Sequence, residues 1–204
     1  MTAAVRSASA QRLLRVGRAY GLCARLLSRE GGHRPRQVAR LLLEELEALG
    51  WHRARDAAGD FIRALPRRAR RYASWLATNA VPAYETSYRE GAQASGGQML
   101  TMADVAGFYR AFGFQVRGER PDYLGAQLEF LALLAIKEAH ALLEGQKEAA
   151  ALCRQARDEF AGRHVLPWLP FYRQRAEAAG KGCFASLADA VEAMLAADRA
   201  EGAP

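Results

Sequence analysis

Apolar positions recur at steps of three and four residues from one end of this chain to the other, the spacing of helices that each bury one face. Leu13, Val16, Tyr20, Ala24 and Leu27 form the first stripe. Val38, Leu41, Leu42, Leu46 and Leu49 form the second, after a break at Gly31-Gly32 and before Gly50, which is placed to end a helix. Ala54, Ala57, Ala58, Phe61, Ile62 and Leu65 make a third that Pro66 ends, and Tyr72, Trp75 and Leu76 mark a fourth before Pro82. Glu90 to Leu100, with Gly91, Ser95, Gly96 and Gly97, has no apolar period and reads as a mobile loop. Thr101-x-x-Asp104 then opens a helix in a cap-like arrangement, with Val105, Phe108, Tyr109 and Phe112 on its apolar face.

Leu124, Leu128, Leu131, Ala135 and Leu142 run the length of a long helix that Gly145 punctuates. Leu152, Ala156 and Phe160 follow, and Pro167 and Pro170 bracket Trp168 at another helix start. Ser186-x-x-Asp189 precedes the last stripe, Leu187, Val191, Met194 and Leu195. No segment alternates with period two for long enough to make a strand. The pattern predicts one all-α domain of about eight to ten helices over residues 11–198, with flexible ends at 1–10 and 199–204 and a mobile loop near 90–100.

Composition narrows this only slightly. A chain of 204 residues, 50% hydrophobic, is long enough to bury a sizeable core. No apolar run approaches the roughly 20 residues that span a bilayer, so no stable membrane insertion is expected. Arg12, Arg15 and Arg18 interrupt any export signal at the amino terminus, and a cytoplasmic protein is expected. Arg67-Arg68 and Arg70-Arg71 have no apolar segment behind them and are not a twin-arginine leader. Cys23, Cys153 and Cys183 are too far apart for a paired metal or redox motif, and the four histidines lack ligand spacing, so no metal is expected.

The net charge of +7 is uneven: residues 1–80 hold 16 Lys/Arg against 6 Asp/Glu, whereas residues 119–204 hold 10 against 13. A helical nucleic-acid-binding regulator is therefore an alternative. Aromatic residues do not interleave with the arginines as a single-strand binding surface requires, and no nucleic-acid partner is expected. Phosphate loops, nucleophile elbows and dinucleotide fingerprints are all missing. Glu119 and Asp122 are close enough in sequence to act as an acid/base pair, which keeps a small helical hydrolase open as a further reading. No nucleophile accompanies them, and the expectation is not an enzyme.

Those carboxylates lie in the most informative stretch, Glu119-Arg-Pro-Asp-Tyr-Leu-Gly-Ala-Gln-Leu-Glu-Phe-Leu-Ala-Leu-Leu-Ala135. Pro121 suits a first helical turn, and Asp122 would then meet the positive end of the helix dipole. A well-made helix start accounts for both. The wider segment also resembles the Glu-x-Pro-Asp-(His/Tyr)-Leu signature of the TorD/DmsD/NarJ-like chaperones of molybdenum reductases. Pro82-Ala-Tyr84-Glu85-Thr86-Ser87-Tyr88 is similar to that family's aromatic segment. Ala103-Asp104 through Gly107-Phe108-Tyr109 to Phe112-Gly113-Phe114 is similar to its central helix, and His164-Val-Leu-Pro167-Trp168-Leu-Pro170-Phe171 to its closing element. Tyr123 stands where the family usually has histidine, so no mechanism that needs that imidazole carries over.

The resemblance implies a TorD-like helical chaperone, monomer or homodimer, with no cofactor of its own. It implies a molybdoenzyme catalytic subunit as partner, bound through its leader peptide or as apo-protein. Molybdopterin guanine dinucleotide would be sensed only indirectly, through that client. A twin-arginine leader needs carboxylates for its guanidinium groups and apolar walls for its hydrophobic segment. Glu119, Asp122 and Glu85 are the candidate carboxylates. Tyr84, Tyr88, Phe108, Tyr109, Pro121, Tyr123 and Trp168 are the candidate walls, with a core role equally open for each aromatic.

Overall fold

The long signature helix is apolar on nearly every side, and that composition decides the architecture, because such a helix must lie inside others. A computed structural model describes residues 3–28, 34–89 and 96–202. Among these residues the chain forms nine α-helices and no strand. They are α1 (Ala3–Leu27), α2 (Pro35–Leu49), α3 (His52–Ala64), α4 (Ala69–Ala77), α5 (Gly97–Ala111), α6 (Leu124–Leu143), α7 (Lys147–Phe160), α8 (Leu169–Ala178) and α9 (Gly182–Gly202). A 3-10 turn at Glu85–Ser87 and a π turn at Ala161–Val165 complete them.

Thirteen of the twenty residues of α6 are buried, which makes it the central element. Helix α1 packs along it, α7 folds back on it, α2 covers α1, and α9 lies against α3 and α8. Phe130 of α6 gathers Tyr109, Phe112, Phe114 and Phe160 at ring separations of 4.9, 6.0, 5.7 and 4.7 Å, tying α5 and α7 to the centre. Helices α1 and α6 approach closely at Gly17, where an added Cβ would lie 3.1 Å from the Ala132 carbonyl and from Ile136.

Local chemistry explains most boundaries. Gly50 ends α2 at φ 72°, its N–H reaching Glu47 O while Trp51 N–H reaches Leu46 O. Leu65 is extended ahead of Pro66, which stops α3. Two expectations, the cap at Thr101 and the loop at 97–100, are corrected. Helix α5 starts at Gly97, so Thr101 is inside it, its hydroxyl bonded to Gly97 O at 3.1 Å. The Ser186 hydroxyl, within α9, bonds Gly182 O in the same way at 3.1 Å. A hydroxyl satisfied by the preceding turn mimics a cap in sequence without being one. Residues 97–100 of the anticipated loop are therefore helical, and 90–95 lie outside the described residues. Helix α1 begins at Ala3 and α9 runs as far as Gly202.

One buried charge cluster braces the end of the bundle. Arg157 of α7 donates to both Asp198 oxygens at 2.9 and 3.1 Å and to Glu138 at 2.5 Å. Arg154 donates twice more to Glu138, and Tyr20 bonds Asp198 at 2.9 Å. Burial alone would lower the Arg157 pKa, but Asp198 and Glu138 outweigh it and hold the guanidinium charged.

The two glycines of α1 separate packing from propensity. A Cβ added at Gly21 would meet nothing within 4 Å, so Gly21→Ala is expected to raise stability by about 0.5–1 kcal/mol. Gly17→Val, driven against α6, is expected to lower it by about 1–3 kcal/mol. Denaturant melts of both variants check this, and equal shifts would refute the close α1–α6 crossing.

Candidate functional site

Two short segments without helical pattern, 82–88 and 119–124, meet beside the start of α6. Glu85 N–H donates to Asp122 O at 3.0 Å and Leu124 N–H to Ala83 O at 2.8 Å, so Tyr84 and Tyr123 face each other in an antiparallel bridge. This pairing keeps Pro121 and Asp122 out of the helix, and α6 begins only at Leu124. Neither residue enters the first helical turn. The dipole reading of Asp122 is thus corrected: its backbone is engaged in the bridge.

The Asp122 carboxylate is fully buried and takes four hydrogen bonds. Arg120 grips it with two parallel bonds, Nε to Oδ1 at 3.0 Å and Nη2 to Oδ2 at 2.9 Å. Thr86 adds its hydroxyl at 2.7 Å and its backbone N–H at 3.2 Å. The same guanidinium lies 4.7 Å above the Tyr84 ring, a cation–π contact. The Tyr84 hydroxyl donates to Glu119 at 3.0 Å, and the Tyr109 hydroxyl to the Pro121 carbonyl at 2.8 Å. Burial pushes the Tyr109 hydroxyl well above its ordinary pKa, with Glu85 and Asp122 adding to the effect, so it stays a donor.

Glu85, across the bridge, is built the same way. Its carboxylate is fully buried and accepts Gln127 Nε2 at 2.8 Å. His164 Nδ1 stands 3.2 Å from both its oxygens, an arrangement in which Nδ1 donates. Arg89 closes it from the solvent side at 2.8 Å. Beyond the histidine, its Nε2 lies 3.4 Å from Asp104, which Arg163 pairs at 2.7 Å. The π turn places His164 here, and turns of that kind often mark functional positions.

The anticipated residues therefore divide. Tyr84, Glu85, Tyr109, Glu119, Pro121, Asp122 and Tyr123 come together at the bridge. Tyr88 lies apart, stacked on Trp168 with ring centres 5.6 Å apart, its hydroxyl bonded to Pro82 O and its pKa pushed by burial to about 12. Trp168 is wholly buried, with its indole N–H on His164 O, and offers no open ring face. Phe108 is half-buried against Phe160 and His164.

Sequence reasoning missed Thr86, Arg89, Arg120, Gln127 and His164. All but Arg89 stood inside the quoted motifs, and pairing each acidic residue with a nearby cation would have found Arg89 and Arg120. It also missed Glu129, which with Glu119, Tyr123, Ala24, Val116 and Ala126 lines a cleft of about 330 Å³ beside the bridge. Tyr123 reaches over Gly125, where a Cβ would meet its ring at 2.8 Å, and donates to Leu27 O. Among the described residues no group of His, Cys, Asp and Glu is arranged to hold a metal ion, and no helix is long and apolar enough to cross a membrane.

Residues 64–173, more than half of the chain and including the whole bridge, match the family described as nitrate reductase delta subunit. The chain is similar to the selenate reductase assembly chaperone protein of Thauera selenatis, 40% identical over 80 residues that make 38% of this chain and 40% of that protein. It is similar to the chlorate reductase assembly chaperone protein of Ideonella dechloratans, 41% identical over 80 residues with the same shares. Chaperone protein TorD of Vibrio cholerae is 32% identical over 97 residues, 48% of this chain and 42% of that one. These matches span about two fifths of each relative's length. No solved structure matches.

Asp122→Asn turns an acceptor of four bonds into a group with one acceptor oxygen. It is expected to lower stability by about 1–3 kcal/mol, beyond the few tenths that a lost dipole contact would cost. Thr86→Val is expected to cost about 1 kcal/mol, and the double variant less than the sum because the two share one set of bonds. Thermal melts check both, and an unchanged melting temperature for Asp122→Asn would remove that carboxylate from the frame of the site.

Proposed function

The chain belongs to the nitrate reductase delta subunit family, the family of TorD and NarJ, and on that premise we propose that it is a cytoplasmic assembly chaperone for the catalytic subunit of a molybdenum-containing reductase. It captures a leader or an unfolded client segment that carries arginine. The client keeps its own molybdopterin guanine dinucleotide, and the chaperone holds the apo-protein while that group is inserted and before export or assembly.

One observation carries this reading: two adjacent buried carboxylates each already hold a guanidinium supplied from the solvent side. Arg120 sits on Asp122 and Arg89 on Glu85, with about two fifths and one third of their side chains exposed. Both carboxylates stay put without those arginines, because Thr86, Gln127 and His164 hold them from within. A pair of consecutive arginines in a client offers the same planar, bidentate groups. The adjoining cleft offers Tyr123, Ala24, Val116 and Ala126 to the apolar stretch that follows, with Glu119 and Glu129 at its rim. Binding is thus an exchange of guanidinium groups, internal for external.

Calorimetry with the client's leader and a scrambled copy tests the role directly. The leader alone is expected to bind, and equal, negligible heats for both would refute leader recognition. Arg120→Gln vacates Asp122 and is expected to tighten leader binding by roughly 10–100-fold, the equivalent of one charged hydrogen bond of about 1.5–3 kcal/mol. Weaker binding by a folded Arg120→Gln protein would instead make Arg120 a contact for the leader and overturn the exchange.

A further inference from the structure

Between Asp60 and Glu85 the chain has no acidic residue, yet it holds Arg63, Arg67, Arg68, Arg70 and Arg71. Arg63 is neutralised by Asp60, and no ion pair to a carboxylate forms at Arg67, Arg68, Arg70 or Arg71 among the described residues. These four exposed arginines, with Pro66 and Ser74, line one open cleft of about 660 Å³ at the corner between α3 and α4. Lys181 adds a fifth cation next to it, 4.8 Å above the Trp75 ring, whose other close cation is Arg71 at 5.4 Å. The sequence gives up stability here. Arg70 and Arg71 stand in the first turn of α4, where the helix dipole disfavours positive charge and no acidic residue offsets it. Several arginines elsewhere are paired with carboxylates, as at Glu45, Glu138, Asp189 and Asp198, and what sets the four corner arginines apart is that they share one cleft.

We propose that this α3–α4 corner is a docking surface for an acidic segment of a partner polypeptide, separate from the bridge site. Clustered guanidinium groups suit carboxylates, which they bind bidentately, and they draw an acidic chain in from a distance. Other polyanions fit less well. A single-stranded nucleic acid needs open aromatic faces for its bases, and Trp75 is half-buried against Phe184 and flanked by two cations. A bilayer surface is held by exposed apolar anchors beside the charge. The exposed large apolar side chains lie elsewhere, at Val5, Leu14, Leu41, Met99, Leu100, Ile136, Leu143, Leu152 and Phe171.

The test measures binding of a labelled ten-residue glutamate peptide, a ten-residue oligothymidine and phosphatidylglycerol vesicles to the full chain by anisotropy and co-sedimentation. Arg67, Arg68, Arg70 and Arg71 are changed together to Gln. A control protein carries the same four-charge loss at the exposed Arg25, Arg40, Arg53 and Arg110. The glutamate peptide is expected to bind most tightly, to lose at least tenfold in affinity with the corner variant and less than twofold with the control, and to be released by salt. Equal losses in the two variants would reduce the effect to net charge and overturn the proposal. So would tighter binding of the oligonucleotide or the vesicles, or no binding at all. Melting temperatures of both variants confirm that they are folded, and the Arg67→Gln/Arg68→Gln pair, outside α4, gives a milder version of the same reading. Leader binding at the bridge is expected to survive in the corner variant, so loss of one site is distinguishable from loss of the other.

Discussion

Two carboxylates with no exposure to water, Glu85 and Asp122, set the terms for everything around them. An ionised carboxylate removed from water is costly unless its lone pairs are filled. The chain fills them by bringing three remote regions to one place: residues 82–89, residues 119–127 and the π turn with His164. Of these, residues 82–84 and 119–123 lie outside any helix, and they are tied to the start of α6 and to the π turn. The antiparallel bridge supplies two backbone bonds, and the carboxylates supply the rest. This explains a non-helical Pro121-Asp122-Tyr123 segment directly before the most buried helix of the protein.

The same requirement separates an inner from an outer face. Thr86, Gln127 and His164 approach the carboxylates from the protein side, while Arg89 and Arg120 approach from the solvent side. The inner bonds, made by groups packed within the protein, hold each carboxylate in orientation from the side opposite its arginine. In the proposed role the outer bonds to long, partly exposed side chains are the exchangeable ones, since solvent already competes for them. Contrast the Arg157 cluster, where the guanidinium itself is buried between Glu138 and Asp198. Exchange there would leave an unpaired charge inside the bundle, so that cluster braces the fold and takes no ligand through its arginine.

Helical architecture was legible because period and punctuation agree: the stripes of α1, α2, α3, α6 and α9 lie where Leu, Val, Ala and Phe recur, and Gly50 and Pro66 end helices as their chemistry requires. The false cap at Thr101 shows the limit of such reading, because a hydroxyl can satisfy itself within the turn behind it. The motif residues were legible as a set, but not their division between core and surface. Trp168 and Tyr109 have the composition of binding walls and the burial of core side chains. That distinction rests on contacts between residues far apart in sequence, 79 positions for His164 and Glu85, and local pattern carries no trace of them. Arg120 was overlooked for a related reason: beside a proline and an aspartate it looks like an ordinary solvated arginine until Tyr84 and Thr86 arrive from 34 to 36 residues away.

An internal occupant also sets which peptides can win the exchange. Arg120 is tethered two residues from the carboxylate it holds, and a tethered group competes at an effective concentration on the order of mM or more. A single free guanidinium, bound no better than Arg120, cannot displace it at ordinary concentrations. Two consecutive guanidinium groups can release Arg120 and Arg89 together, and an apolar stretch lying along Tyr123 adds about 25 cal/mol for each Å² it buries. In the proposed role the plug therefore acts as a filter. It discriminates against single arginines of the chain's own surface, and against the consecutive pairs Arg67-Arg68 and Arg70-Arg71 of a second copy, which have no apolar segment behind them. It admits only a segment that presents charge and apolar surface in the right order. In that role the internal arginines weaken leader binding, and that loss is the source of its selectivity.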